Sequence, residues 1–239
     1  WHWWVSDQAI NSKPFKDRAQ CMLHGKCMFG CPMGAKVSTD RTYWPLAIAN
    51  GAEVRPWSRV KEITVDKFGK AKGALYFDKE NNIHEIKAKV VVVCCNGVGT
   101  PRLLLNSRSK LFPDGLGNSN GLVGKYFMVH PTHFINGVFD EVMDSHLGPM
   151  GSPLFSQEFY ETNDQRGFKR GYMLIGERTF GPLFQSQSVS WGENHHKEFS
   201  KLFPHQAGLT VVADDLPEET NTVTLDKSKT DSNGISAAK

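Results

Sequence analysis

The stretch that most restricts this chain is the apolar run Val90-Val-Val-Val-Cys-Cys95 together with its continuation through Asn96-Gly97-Val98-Gly99 into Thr100-Pro101-Arg102-Leu-Leu-Leu-Asn106. A continuous, β-branched run suits a strand buried on both faces of a parallel sheet. The glycines break that strand, and Thr100 can cap a helix that has Pro101 at its first position. A buried strand, a glycine turn and a helix N-terminus together form the place where open α/β sheets bind phosphorylated cofactors. A plain crossover with no ligand produces the same pattern. Alternation along the strand sends Cys94 and Cys95 to opposite faces, which makes both simplest as core residues.

The segments before this unit fit such a sheet. Ser38, Thr39 or Asp40 can cap a short helix over residues 41–50, which Gly51 terminates. From Glu53 the period changes to alternation, with Val60, Ile63 and Val65, then Ala74, Leu75 and Phe77, then Ile83 and Ile86. Turns fall at Phe68-Gly69 and Asn81-Asn82. This pattern predicts a β-meander. Beyond Leu111 the chain becomes loop-rich, with further strands expected at Thr132 to Phe139, Gly171 to Ile175 and Leu209 to Ala213, and a last one near Thr222 to Leu225. Phe180 to Phe184 and Trp191 to His196 read as polar, aromatic loops. The expected class is therefore α/β (α+β mixed). A partial cofactor domain with its meander would span residues 1–127, and a partial substrate domain of antiparallel sheet would span 128–239.

A second cluster of chemistry-bearing residues is Cys21-Met-Leu-His-Gly-Lys-Cys27-Met-Phe-Gly-Cys31-Pro-Met-Gly-Ala-Lys36. Glycines and a proline fold this loop back on one point. Soft thiolates converging on a point favour a metal or a cluster. Zinc would want a fourth nitrogen or sulfur ligand, and His24 is within reach in sequence. Three thiols packed as small apolar groups are the other reading. Glycines and a lysine make the loop a poor core segment.

Several classes of function lack support. The net charge of +3 and charged content of 22% give no basic footprint for nucleic acid or an acidic membrane surface. The longest apolar run is far below the roughly 20 residues that a spanning helix needs. No Gly-x-Ser-x-Gly elbow, His-Glu-x-x-His pair or phosphate P-loop occurs. His195-His196 reads as an exposed pair, and His130 as a lone histidine with no catalytic role. The five cysteines are too few and too clustered for a disulfide framework. Neither Trp1–Trp4 nor Asp231–Lys239 has the character of a true terminus, so the chain reads as a piece open at both ends.

Three stretches together resemble the flavin-dependent glucose-methanol-choline oxidoreductases: Gly30-Cys-Pro-Met-Gly-Ala-Lys36 with Ser38-Thr-Asp40, Val91 to Ser107, and Leu122-Val-Gly-Lys-Tyr-Phe-Met-Val-His-Pro131. Asn221 to Asp226 is similar to the strand before the family's catalytic segment. The Asn96-Gly97 pair is similar to the branch of glucose, gluconate, fructose and sorbitol dehydrogenases. The resemblance implies FAD, oxidation of an alcohol or sugar hydroxyl, and a periplasmic or membrane-associated setting. It places Val60 against the adenine through its backbone, and Asn96, Gly97 and Thr100 around the turn facing the cofactor. In some members of that branch, cysteines spaced like Cys21, Cys27 and Cys31 hold a three-iron, four-sulfur (3Fe-4S) cluster. Such a cluster would pass electrons to a cytochrome or another acceptor, sometimes alongside a small subunit. The family's first strand and its catalytic histidine have no counterpart in this chain, so no catalytic residue is assigned. The alternatives are a cluster-free alcohol oxidase or dehydrogenase of the same family, and an electron-transfer module without flavin.

Overall fold

The computed structural model describes residues 1–149, 154–177 and 181–239. Along the chain, β1 (Trp4–Val5) precedes the cysteine loop and α1 (Tyr43–Ala49) comes after it. The meander is β2 (Arg59–Val65), β3 (Ala71–Phe77) and β4 (Ile83–Lys87), and α2 (Asn96–Asn106) comes next. Then come β5 (Thr132–Val138), β6 (Leu154–Ser156), β7 (Tyr172–Glu177), α3 (Pro182–Ser188) and α4 (His195–Leu202). The chain closes with β8 (Gln206–Ala213), β9 (Leu225–Thr230) and β10 (Ser236–Ala238). The fold class is mixed α/β, as expected. Among the described residues no helix is long and apolar enough to cross a membrane.

The chain divides into two compact units, residues 1–52 with 129–215 and residues 53–128 with 216–239. Neither 1–127 nor 128–239 is therefore one unit. The pairings give the reason. β1 joins the second half through Trp4 opposite Phe155 and Val5 opposite Leu154. Conversely, the Phe127 N–H donates to the Asn221 carbonyl and the Val223 N–H to the Gly124 carbonyl, which ties the late segment to the middle of the chain.

The first unit is built on a five-stranded antiparallel sheet in the order β1-β6-β7-β8-β5. Its core includes Leu174, Ile175 and Val189. Thr210 is buried with them and donates its hydroxyl to Glu177 at 2.5 Å, which gives an otherwise stranded oxygen a partner. α1 follows a 3-10 turn at Thr39–Arg41, two residues later than the expected start at Arg41. Pro45 fits its first turn because no N–H is needed there.

In the second unit the meander forms as its alternation predicts. The Asp66 carboxylate closes the first turn by accepting from the N–H groups of Phe68 and Lys70 at 2.8 and 2.9 Å. The Asp78 carboxylate closes the second by accepting from Asn82 at 2.8 Å. α2 packs on β2, where the Ser107 hydroxyl accepts the Ile63 N–H at 2.9 Å.

Two expectations for this region need correction. Val90–Cys95 forms no strand, and Val90 and Val92 are 75% and 76% exposed. A doubly buried parallel strand needs partners on both edges and cover on both faces. All pairings between the named strands here are antiparallel, and none includes this run. Cys94 and Cys95 are accordingly exposed thiols and not core residues. α2 also begins at Asn96 instead of after Thr100, which leaves Pro101 inside the helix. The last strand, β9, begins at Leu225, where the expected one was to end.

Candidate cofactor and cysteine sites

α2 organises the second unit. Asn96 stands at φ 57°, in the left-handed region that asparagine tolerates better than most residues. Its Oδ1 accepts from the N–H groups of Val98 and Gly99 at 3.0 and 3.1 Å and so caps its own helix. The Thr100 hydroxyl accepts from the Cys95 N–H at 3.3 Å. Gly97 lies against Phe127, whose ring is 3.3 Å from where a Cβ would stand.

Below this turn opens a cavity of about 790 Å³, lined by β2 (Arg59, Val60, Lys61), by Cys95 and Gly99 of the turn, and by Trp57, Asp78, Lys79, Arg102 and Asn233 among others. Its size is that of a site for a small molecule or cofactor. Four cationic side chains line it against one carboxylate. The His84 ring, 2.6 Å away, holds the Asp78 carboxyl down to about 2, with help from Asn82. Arg102 crosses from α2 to the β9–β10 hairpin, donating to the Ser236 carbonyl at 2.7 Å, the Asp231 carboxylate at 2.8 Å and the Ile235 carbonyl at 3.1 Å. A second cavity of about 740 Å³, lined by Asn106, Arg108, Asn118, Lys125 and residues 222–227, gathers none of the cofactor residues expected from sequence.

The cysteine loop belongs to the first unit. Gly25 stands at φ +67°, and a Cβ there would lie 2.1 Å from the His146 carbonyl oxygen. That close approach seats the loop on residues 146–148, where the Gly148 N–H donates to the Leu23 carbonyl at 2.8 Å. Cys21, Cys27 and Cys31 line one cavity with Met22, His24 and Met33. The Lys36 N–H lowers the Cys31 thiol below its ordinary value; burial works against it, and the N–H groups of Met33, Ala35 and Gly34 assist. Backbone N–H groups gathered in this way favour a thiolate. The cavity measures about 20 Å³, however, which is room for about one water. Among the described residues no group of three or more His, Cys, Asp or Glu side chains is arranged to hold a metal ion. The loop as folded does not fit a three-iron cluster.

Residues 6–132 match the family model for the N-terminal region of GMC oxidoreductases. The chain belongs to the GMC oxidoreductase family. The 2-methyl-1,2-propanediol dehydrogenase of Mycolicibacterium austroafricanum is 43% identical over 100% of this chain and 45% of its own length. The large subunit of fructose dehydrogenase from Gluconobacter japonicus is 26% identical over 95% of this chain and 42% of its own. The 6'''-hydroxyparomomycin C oxidase of Streptomyces lividus is 29% identical over 67% and 31%. This chain thus spans less than half the length of each of these relatives.

Of the cofactor residues expected from sequence, the structure brings Val60 to the large cavity directly. Asn96, Gly97 and Thr100 stand beside its lining and shape the turn that carries Cys95 and Gly99 to it. Sequence reasoning missed Trp57 and Arg102. Trp57 lies between Glu53 and the first alternating apolar residue, Val60, and Arg102 reads as an ordinary position in a leucine-rich helix. Nothing in the sequence pairs it with Asp231. His195 departs from expectation as well. It is buried at 9% exposure, stacks on Trp191 at 4.6 Å and lies 3.2 Å from the Ser190 carbonyl through Nδ1. The residues read as loops at 191–196 and 180–184 contribute to α4 and α3, while Phe180 lies outside the described residues.

Proposed function

We infer that the protein oxidises an alcohol or sugar hydroxyl with FAD as the hydride acceptor. The carrying observation is the cavity of about 790 Å³ that joins Val60 to the Cys95–Gly99 turn under a cationic lining. β2 is an edge strand, and its register shifts between Val60 and Glu62. The Ile63 N–H already points away from β3, to Ser107. One inserted residue at the bulge returns Val60 to the same phase as Ile63, so its backbone groups face outward, free to meet a base edge. Asn96, Gly97 and Thr100 hold the turn, and Arg102 fixes the hairpin that carries Asn233. When bound, the flavin would supply a two-electron acceptor. In this reading the substrate part draws on the five-stranded sheet of the first unit.

Two compounds named in the relatives, 2-methyl-1,2-propanediol and fructose, are the first substrates to try. The full-length protein, purified and supplied with FAD, is expected to show flavin absorption that bleaches when a substrate is added without oxygen. A protein that takes up no flavin under any loading condition overturns this reading.

Electron relay through an iron–sulfur cluster to a cytochrome or small subunit is the second reading. It draws on three thiols lining one cavity, and the size of that cavity speaks against it. Iron and labile sulfide in the purified protein decide between the relay and a cluster-free dehydrogenase. Stoichiometric iron and sulfide require the loop to open, and their absence leaves the thiols structural.

A further inference from the structure

We propose that Trp57 is the aromatic platform on which the purine of an adenine nucleotide stacks in the cavity beside Val60, an inference that rests on the FAD reading. Trp57 lines that cavity, yet the residue is 76% exposed, so it contributes little to any core. Its backbone stands at φ 58°, a conformation that a bulky aromatic residue adopts only when its surroundings impose it. An exposed indole on a strained backbone is poorly explained by packing and well explained by a flat ligand.

The position agrees. Trp57 lies two residues before β2 and three before Val60, whose outward backbone offers a donor and an acceptor to the edge of a base while an indole could cover its face. The remaining lining supplies the other half of the ligand. Arg59, Lys61 and Lys79 give an anion-seeking wall around a single carboxylate, Asp78, which the turn and His84 already engage, while Arg102 is held by Asp231 and the hairpin carbonyls. A flat, neutral base joined to a diphosphate has both of these properties. A sugar or a simple alcohol has neither.

The test is a comparison of ligands and variants in the full-length apoprotein. Trp57→Leu keeps apolar bulk without a π face, and Trp57→Phe keeps the face. Stacking of a base on an aromatic ring predicts about a tenfold weaker FAD affinity for Trp57→Leu. FMN, which lacks the adenylate half, should bind both proteins alike. Trp57→Phe should stay close to the wild type, and AMP should quench wild-type tryptophan fluorescence more than that of Trp57→Phe. Equal FAD affinity in Trp57→Leu, or equal losses for FAD and FMN, overturns the platform. Thermal melting without ligand separates these outcomes from a folding defect. Quenching by AMP in a protein that takes up no flavin would retain the platform and remove the FAD reading. Absence of both flavin uptake and AMP quenching would remove the two together.

Discussion

Gly124 has no side chain because there is no room for one: a Cβ there would stand 2.1 Å from the Val223 carbonyl oxygen, at a φ of +87°. The two residues also share a hydrogen bond from the Val223 N–H to the Gly124 carbonyl at 2.6 Å. Gly124→Ala must therefore push two backbones apart and adopt a disfavoured φ, a cost of about 2–4 kcal/mol. A lower urea midpoint should report it, and an unchanged midpoint would show that the two backbones part without cost. At Asn96, capping and conformation can be separated. Asn96→Ala loses the acceptor for two N–H groups and the tolerance for a left-handed φ, costing about 1–2 kcal/mol. Asn96→Gly keeps the conformation and should cost less, so the order of the two melting temperatures is the readout. In sequence Asn96 stands out by the family resemblance as a residue of the cofactor turn, and nothing there marks it as a cap. Its purpose shows once its Oδ1 is seen on its own helix.

At the scale of elements, the Arg102 clamp joins α2 to the β9–β10 hairpin. Burial works against ionisation of Asp231, but the Arg102 guanidinium and the N–H groups of Ile235 and Asn233 more than offset it, holding its carboxyl below the ordinary value. A carboxylate lowered in the folded state stabilises above its unfolded value of about 3.9, and that contribution drains away as pH falls through the folded value. Asp231→Asn should therefore flatten the acid limb of stability below about pH 4 while changing its neutral value less than Arg102→Ala does. Arg102→Ala removes all three bonds and should cost about 2 kcal/mol at neutral pH. Elements with their own local signals were legible in the sequence. The meander came from alternation and from the turns at Phe68-Gly69 and Asn81-Asn82, and most of β5 and β8 fall where strands were expected, at Thr132 to Phe139 and Leu209 to Ala213. The Val90–Cys95 run failed because hydrophobicity reports a wish for cover and not the presence of a partner. The Arg102–Asp231 pair and the strained Trp57 were invisible because neither long-range pairing nor a single φ leaves a periodic trace.

At the scale of the whole molecule, each unit is made of two separated stretches of chain. α2 lies in the first half, but its clamp and the partners of Gly124 and Phe127 lie beyond residue 220. A truncation to residues 1–127 should consequently fail to protect the α2 amides from hydrogen exchange, although the meander turns depend only on local bonds. Protected α2 amides in that truncation would show that the hairpin is dispensable to its unit.

The clamp also imposes a schedule. Arg102 and the Ser236 carbonyl it grips are 134 residues apart in the chain. A ribosome adding 5–20 residues per second takes roughly 7–27 s to cover that distance. Throughout that interval α2 emerges without its anchor, and the wall that Asn233 gives the cavity has not been made. The cavity beside Val60 is therefore completed late in the life of the nascent protein, because residues beyond position 230 close its lining.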